Sequence, residues 1–120
     1  MLNIDFRKIF WDQKILRWEK EKYIDKSFFV DVNSSVKNRM NLTKNILSKI
    51  SKNKILLEIG CGSGFLINDL KKMGVKKYIG IDISLEAIKK AKIKAKKIND
   101  IEFEFINADI SKIKNKNVDI

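Results

Sequence analysis

The chain has 120 residues, which bounds it to a single domain. Hydrophobic residues make up 44% of it, enough for a packed core and too many for wholesale disorder. No run of about 18 apolar residues exists, so no segment reads as a membrane span. Met1 to Phe10 carries Asp5, Arg7 and Lys8 and lacks the pattern of a secretory signal.

One cysteine excludes a disulfide within the chain and fits a reducing cytoplasm. Histidine is absent, which removes the usual base near pH 7 and the commonest neutral metal ligand; no metal site is expected. The net charge is +11, with 26 Lys+Arg against 15 Asp+Glu. Such an excess is the footprint of an RNA, DNA or anionic-lipid partner. A plainer account competes: the excess is nearly all lysine in an Ile- and Asn-rich chain, and the basic residues are not interleaved with aromatics as in nucleic-acid platforms.

The first predicted helix runs from about Asp5 to Ile24. On a helical wheel its apolar residues fall in two patches. The broad patch, Phe6, Ile9, Phe10, Leu16, Tyr23 and Ile24, reads as core. The narrow one, Trp11, Ile15 and Trp18, needs a second surface: either the rest of the domain or a ligand pocket that it covers. A second helix, about Ser35 to Ser51, carries Val36, Met40, Thr43, Leu47 and Ile50 on one stripe, with Ser34 or Ser35 as its cap. Residues 1–53 are thus read as a helical extension, and no linker separates them from residues 54–120.

From Lys54 the period changes. Lys54–Ile59 is a short apolar run of the kind buried in parallel sheets. A helix is expected from Phe65 to Met73, stopped by Gly74 in a left-handed conformation. Lys77–Asp82 is the second strand. Ser84 caps a helix whose stripe is Leu85, Ile88, Ala91, Ala95 and Ile98. Ile101, Phe103 and Phe105 alternate with Glu102 and Glu104, a half-exposed third strand, and Val118–Ile120 opens a fourth. Alternating β and α elements imply an α/β fold: a Rossmann-like parallel sheet with right-handed crossovers, here cut short in its fourth strand.

The chemistry concentrates in Glu58-Ile-Gly60-Cys61-Gly62-Ser-Gly64, between a strand and a helix. Glycines there permit tight turns and close approach of backbone to a ligand. The dinucleotide fingerprint G-x-G-x-x-G fails in either register, because its third glycine would fall on Phe65 or Ile67. The phosphate loop G-x-x-x-x-G-K-[ST] is absent too. Asp82 follows about 20 residues later, at the end of the second strand, and Asn107-Ala-Asp109-Ile110 ends the third. Taken singly, each has a structural reading: a plain turn for the glycines, a strand-end acid for Asp82, an ordinary loop acid for Asp109. Cys61 reads as a small loop residue, since no histidine exists to activate it.

Together, at the right element ends and in the right order, these motifs over residues 54–120 resemble the class I S-adenosylmethionine-dependent methyltransferases. The resemblance implies a donor site. Glu58 would help orient the methionine end, with the backbone of Gly60, Cys61, Gly62 and Gly64 around it. Asp82 would hold the ribose hydroxyls, with Ile83 against the adenine. Asp109 and the Ile110 N–H would read the adenine edge. S-adenosylmethionine has no phosphate, which suits a loop without phosphate spacing, and a carboxylate is a bidentate acceptor for a diol.

In the family, acceptor-binding residues usually follow the fourth strand. The resemblance therefore implies a donor-binding half with an unidentified acceptor, no assigned catalytic residue, and little turnover by the chain alone. It also implies an apolar first-strand edge prone to self-association. Two other functions stay open at this point: a degenerate fragment that binds RNA or a partner protein, and a nicotinamide-dependent oxidoreductase module. The Lys-rich helix, with Lys89, Lys90, Lys92, Lys94, Lys96 and Lys97, reads as a solvated face or an RNA-facing one.

Overall fold

The computed structural model describes residues 4–24, 30–114 and 116–120, with side chains described outside 18–36. Helices α1 (Phe6–Ile24) and α2 (Val30–Ile50) precede strand β1 (Ile55–Ile59). A 3₁₀ turn (Ile67–Asp69) runs into a single-turn helix α3 (Leu70–Met73). Strand β2 (Lys77–Asp82), helix α4 (Leu85–Ala95) and strand β3 (Glu102–Asn107) follow, and a second 3₁₀ turn spans Ile110–Lys112.

The sheet is parallel with order β1-β2-β3. Its register sets Leu56 beside Tyr78 and Tyr78 beside Phe103, so one face carries Leu56, Tyr78, Phe103 and Phe105. Against these residues pack Ile67, Leu70, Ile88, Ala91 and, from α2, Leu47. Small side chains let α4 lie close: Ala87 and Ala91 are fully buried. Burial of such apolar surface is the main stabilising term, roughly 25 cal/mol per Å². The three aromatic rings of this face meet at centroid distances of 6.0 Å.

The far edge of β1 carries the end of the chain. Ile55 C=O accepts from the Ile120 N–H, and the Leu57 N–H donates to Ile120 C=O at 2.8 Å. That pairing of one residue with two that flank its partner is parallel. Residues 118–120 thus lie beside β1, opposite β2, without forming the expected fourth strand; the sheet keeps three strands, and its expected edge is in part covered.

Three local expectations are corrected. The segment after the glycine loop is not one helix from Phe65. Ile67 N–H bonds Gly64 C=O and Asp69 N–H bonds Leu66 C=O, an i to i+3 pattern that tightens the start into 3₁₀. Gly74 does end α3 at φ 70°. Helix α2 begins at Val30, so Ser34 and Ser35 lie inside it; no Pro or Gly interrupts that stretch. Finally, the broad patch of α1 is not core: Phe6 is 75% exposed, and Ile9, Phe10 and Leu16 are exposed as well. It is Ile15, on the narrow patch, that is buried. The side chains of Trp18, Tyr23, Ile24 and Val36 lie outside the described residues.

Candidate functional site

A pocket of about 510 Å³ opens at the C-terminal ends of the three strands. That size suits a small organic ligand, and the place is where open α/β sheets bind one. Its walls come from Ile59, Gly60 and Gly62 after β1, from Ile81, Asp82 and Ile83 at the end of β2, and from Ala108, Asp109 and Ile110 after β3. Phe65 closes one side, and Arg7, Trp11 and Ile15 of α1 form the roof.

The glycine loop is strapped to β2. Ile81 C=O accepts from the N–H groups of both Gly60 and Cys61. Asp82 Oδ2 accepts the Gly62 N–H at 2.9 Å, and Oδ1 accepts the Ser84 N–H at 2.8 Å. One carboxylate thus fixes the loops after β1 and β2 together. Its two oxygens offer about four acceptor positions, so two backbone donors leave room for a diol. Gly62 has φ 58° and would present any side chain toward Phe65 and Ile15, at the pocket wall.

Ser84 Oγ accepts the Ala87 N–H and caps α4, as its place before a helical stripe predicts. Asn107 Nδ2 donates to the carbonyls of Asp82 and Ile83, tying the same loop to the end of β3. At that end Asp109 Oδ1 accepts from the backbone N–H and hydroxyl of Ser111. Those two bonds, then the Arg7 guanidinium, hold the Asp109 carboxyl below its ordinary range.

Three predicted residues do not line the pocket. Glu58 lies behind it, where Tyr78 Oη donates to its Oε1 at 2.6 Å. Burial pushes the Glu58 carboxyl up to about 7, against the Tyr78 hydrogen bond and with help from the negative charge of Asp82. Cys61 is buried, and burial, with Glu58 and Asp82 adding to it, pushes its thiol up to about 12. Gly64 faces α4 instead of the pocket: a Cβ there would stand 2.5 Å from Ile67 Cδ1 and 3.3 Å from Ala91 Cα. Gly60, Gly62, Asp82, Ile83, Asp109 and Ile110 do line the pocket.

The roof contains what sequence reasoning missed. Arg7 Nη2 reaches Asp109 Oδ2 at 2.8 Å. Asp12 Oδ1 accepts from the Ser84 hydroxyl and the Glu86 N–H. Helix α1 is thus pinned to the loops after β2 and β3, and Ile15, past the second pin, packs near Gly62. Arg7, Trp11 and Ile15 share one face at i, i+4, i+8; extending the Trp11–Ile15 stripe one turn back would have found Arg7. Among the described residues no cluster of His, Cys, Asp or Glu has the arrangement of a metal site.

A family profile described as a methyltransferase domain matches residues 50–120. The chain belongs to that family. A putative protein N5-glutamine methyltransferase of Methanocaldococcus jannaschii is 41% identical over 69 residues, covering 58% of this chain and 34% of that protein. An uncharacterized protein of the same organism is 46% identical over 52 residues, covering 42% and 24%. Magnesium protoporphyrin IX methyltransferase from Synechocystis, solved with bound S-adenosylhomocysteine, superposes with a TM-score of 0.73 at 19% identity, over 92% of this chain and 53% of that one. That likeness is one of fold, and it includes the helical extension as well as the sheet. The chain spans about a quarter to a third of these two curated relatives.

Proposed function

We propose that this methyltransferase-family chain binds S-adenosylmethionine and presents its methyl group to an acceptor. The observation that carries the reading is the Asp82 carboxylate, fixed at the end of β2 by the Gly62 and Ser84 N–H groups and facing a pocket with a glycine wall. The lining suits the donor. S-adenosylmethionine brings a diol, an adenine and a sulfonium cation; the wall brings two carboxylates and the hydrocarbon of Ile59, Ile81, Ile83, Ile110 and Phe65. When bound, the donor supplies an electrophilic methyl carbon. The chain's own part is to orient it: Asp82 to hold the ribose, Ile83 and Ile110 to flank the base, Asp109 to accept from the adenine amino group. Such positioning is the main source of rate in methyl transfer.

The same wall is a poor host for a dinucleotide. Among the described residues its one lining cation, Arg7, is already paired with Asp109, and two carboxylates would repel a pyrophosphate. The helix after the loop is a single turn behind a 3₁₀ start, so it offers little of the dipole that phosphate sites use. The test is competition: radiolabelled S-adenosylmethionine retained by the chain, with S-adenosylhomocysteine or NADH added. Displacement by S-adenosylhomocysteine and not by NADH is expected. Displacement by NADH alone, or no retention by folded chain, would overturn the reading.

A further inference from the structure

The Arg7–Asp109 pair stands at the pocket wall, where the proposed donor would put its base. The bonds of Arg7 are specific about what they leave over. Nε and Nη2 are taken by Asp5, at 3.2 and 3.1 Å, and Nη2 also by Asp109. These bonds leave the two Nη1 hydrogens. Asp5 holds the guanidinium as a fork, which fixes its plane. On Asp109, Oδ1 serves Ser111 twice, while Oδ2 serves Arg7 and, as a carboxylate oxygen, can accept once more. The Ile110 N–H, at the first position of its 3₁₀ turn, is one of the donors such a turn leaves without an internal partner. The wall therefore offers two donors and an acceptor within one short stretch.

Adenine presents the complementary set: acceptors N1 and N7 on either side of its amino donor. Hypoxanthine and guanine put a carbonyl in the place of that amino group, which would set acceptor against carboxylate. We propose that Arg7 reads the adenine ring of the donor, its Nη1 hydrogens donating to N7 while Asp109 Oδ2 accepts from the amino group. The proposal rests on the donor-binding reading above. It makes Arg7 a binding and specificity residue supplied by the helical extension, and it makes the seating of α1 on the strand ends part of base recognition. Arg7 is well suited to the test, because its side chain is 66% exposed and the bonds of Asp12 to Ser84 and Glu86 still hold α1 when it is removed.

The experiment is a four-way titration of the full chain. Wild type and Arg7→Ala are each titrated with S-adenosylhomocysteine and with its 7-deaza analogue, in which N7 is replaced by a CH group. A well-placed hydrogen bond to a base edge is worth a discrimination on the order of ten-fold. Wild type should bind S-adenosylhomocysteine about ten-fold more tightly than the 7-deaza analogue, and in Arg7→Ala that ratio should fall to near one. Melting of both proteins at similar temperatures secures the comparison. A ratio that survives the substitution, or equal affinity of wild type for the two ligands, overturns the role of Arg7 while leaving the donor reading intact. Failure of folded wild type to bind either ligand overturns the donor reading, and this proposal falls with it.

Discussion

Adding a single methyl group at Gly64 tests whether this glycine serves packing while Gly60 serves the ligand. Gly64 has φ 87°, and a Cβ there would press on Ile67 Cδ1 at 2.5 Å and on the backbone of Ala91 at 3.3 Å. Ile67 is fully buried and Ala91 is main chain of α4, so neither yields easily. A left-handed alanine costs about 1–2 kcal/mol. Overpacking a filled core adds about 1–3 kcal/mol. Gly64→Ala should therefore lose about 2–5 kcal/mol of stability, a large share of what a small domain has. Gly60 also has positive φ, 73°, but nothing stands within 4 Å of its would-be Cβ. Gly60→Ala should pay only the conformational part, about 1–2 kcal/mol. Urea unfolding of the three proteins, followed by circular dichroism, reads the difference directly if the slope stays constant. Equal losses for the two variants would refute the packing argument.

Other perturbations follow from the same contacts. Glu58 has its carboxyl raised from an ordinary 4.5 to about 7, so the fold favours its protonated form. The stability it contributes is full below its unfolded value and is lost as pH rises through the folded one; the shift corresponds to about 3 kcal/mol as an upper figure. Urea midpoints of wild type should therefore fall between pH 5 and pH 8, and Glu58→Gln should flatten that fall; parallel profiles would contradict it. Asp12→Ala leaves the Ser84 hydroxyl and the Glu86 N–H without their α1 partner, at about 1 kcal/mol. Amide exchange in α1 should rise while β2 stays protected, and unchanged exchange would mean that Asp12 does not hold the roof. Cys61, buried with its thiol pushed up to about 12, should resist alkylation at pH 8 until the chain unfolds. Rapid labelling of native protein would count against its placement.

What the sequence made legible follows the strength of its local signals. Strand β2, the Ser84 cap and the Gly74 stop each rest on one unambiguous cue within a few residues, and all three stand where the cues put them. The wall of the pocket was legible for the same reason, since Gly60, Gly62, Asp82 and Asp109 sit at strand ends. Helix α1 was legible only in part: Trp11 and Ile15 line the pocket, one of the two readings their patch allowed, but periodicity finds faces without saying which one turns inward. Its broad apolar patch outweighed the narrow one by area, yet the ion pair of Arg7 and the bonds of Asp12 turn the narrow patch to the pocket. Those contacts join residues about a hundred and about seventy positions apart, beyond any local pattern. Glu58 shows the opposite limit. The motif marks it, but only the sheet register brings Tyr78 within reach to bond it away from the pocket wall.

Asp82 is the proposed anchor of a methyl donor in this pocket. Calorimetric titration with S-adenosylhomocysteine, on wild type and on Asp82→Ala shown to be folded by its circular dichroism and melting curve, tests it most directly. Saturable one-to-one binding by wild type and its loss in the variant are expected. Absence of binding by folded wild type, or equal binding by the variant, would contradict it.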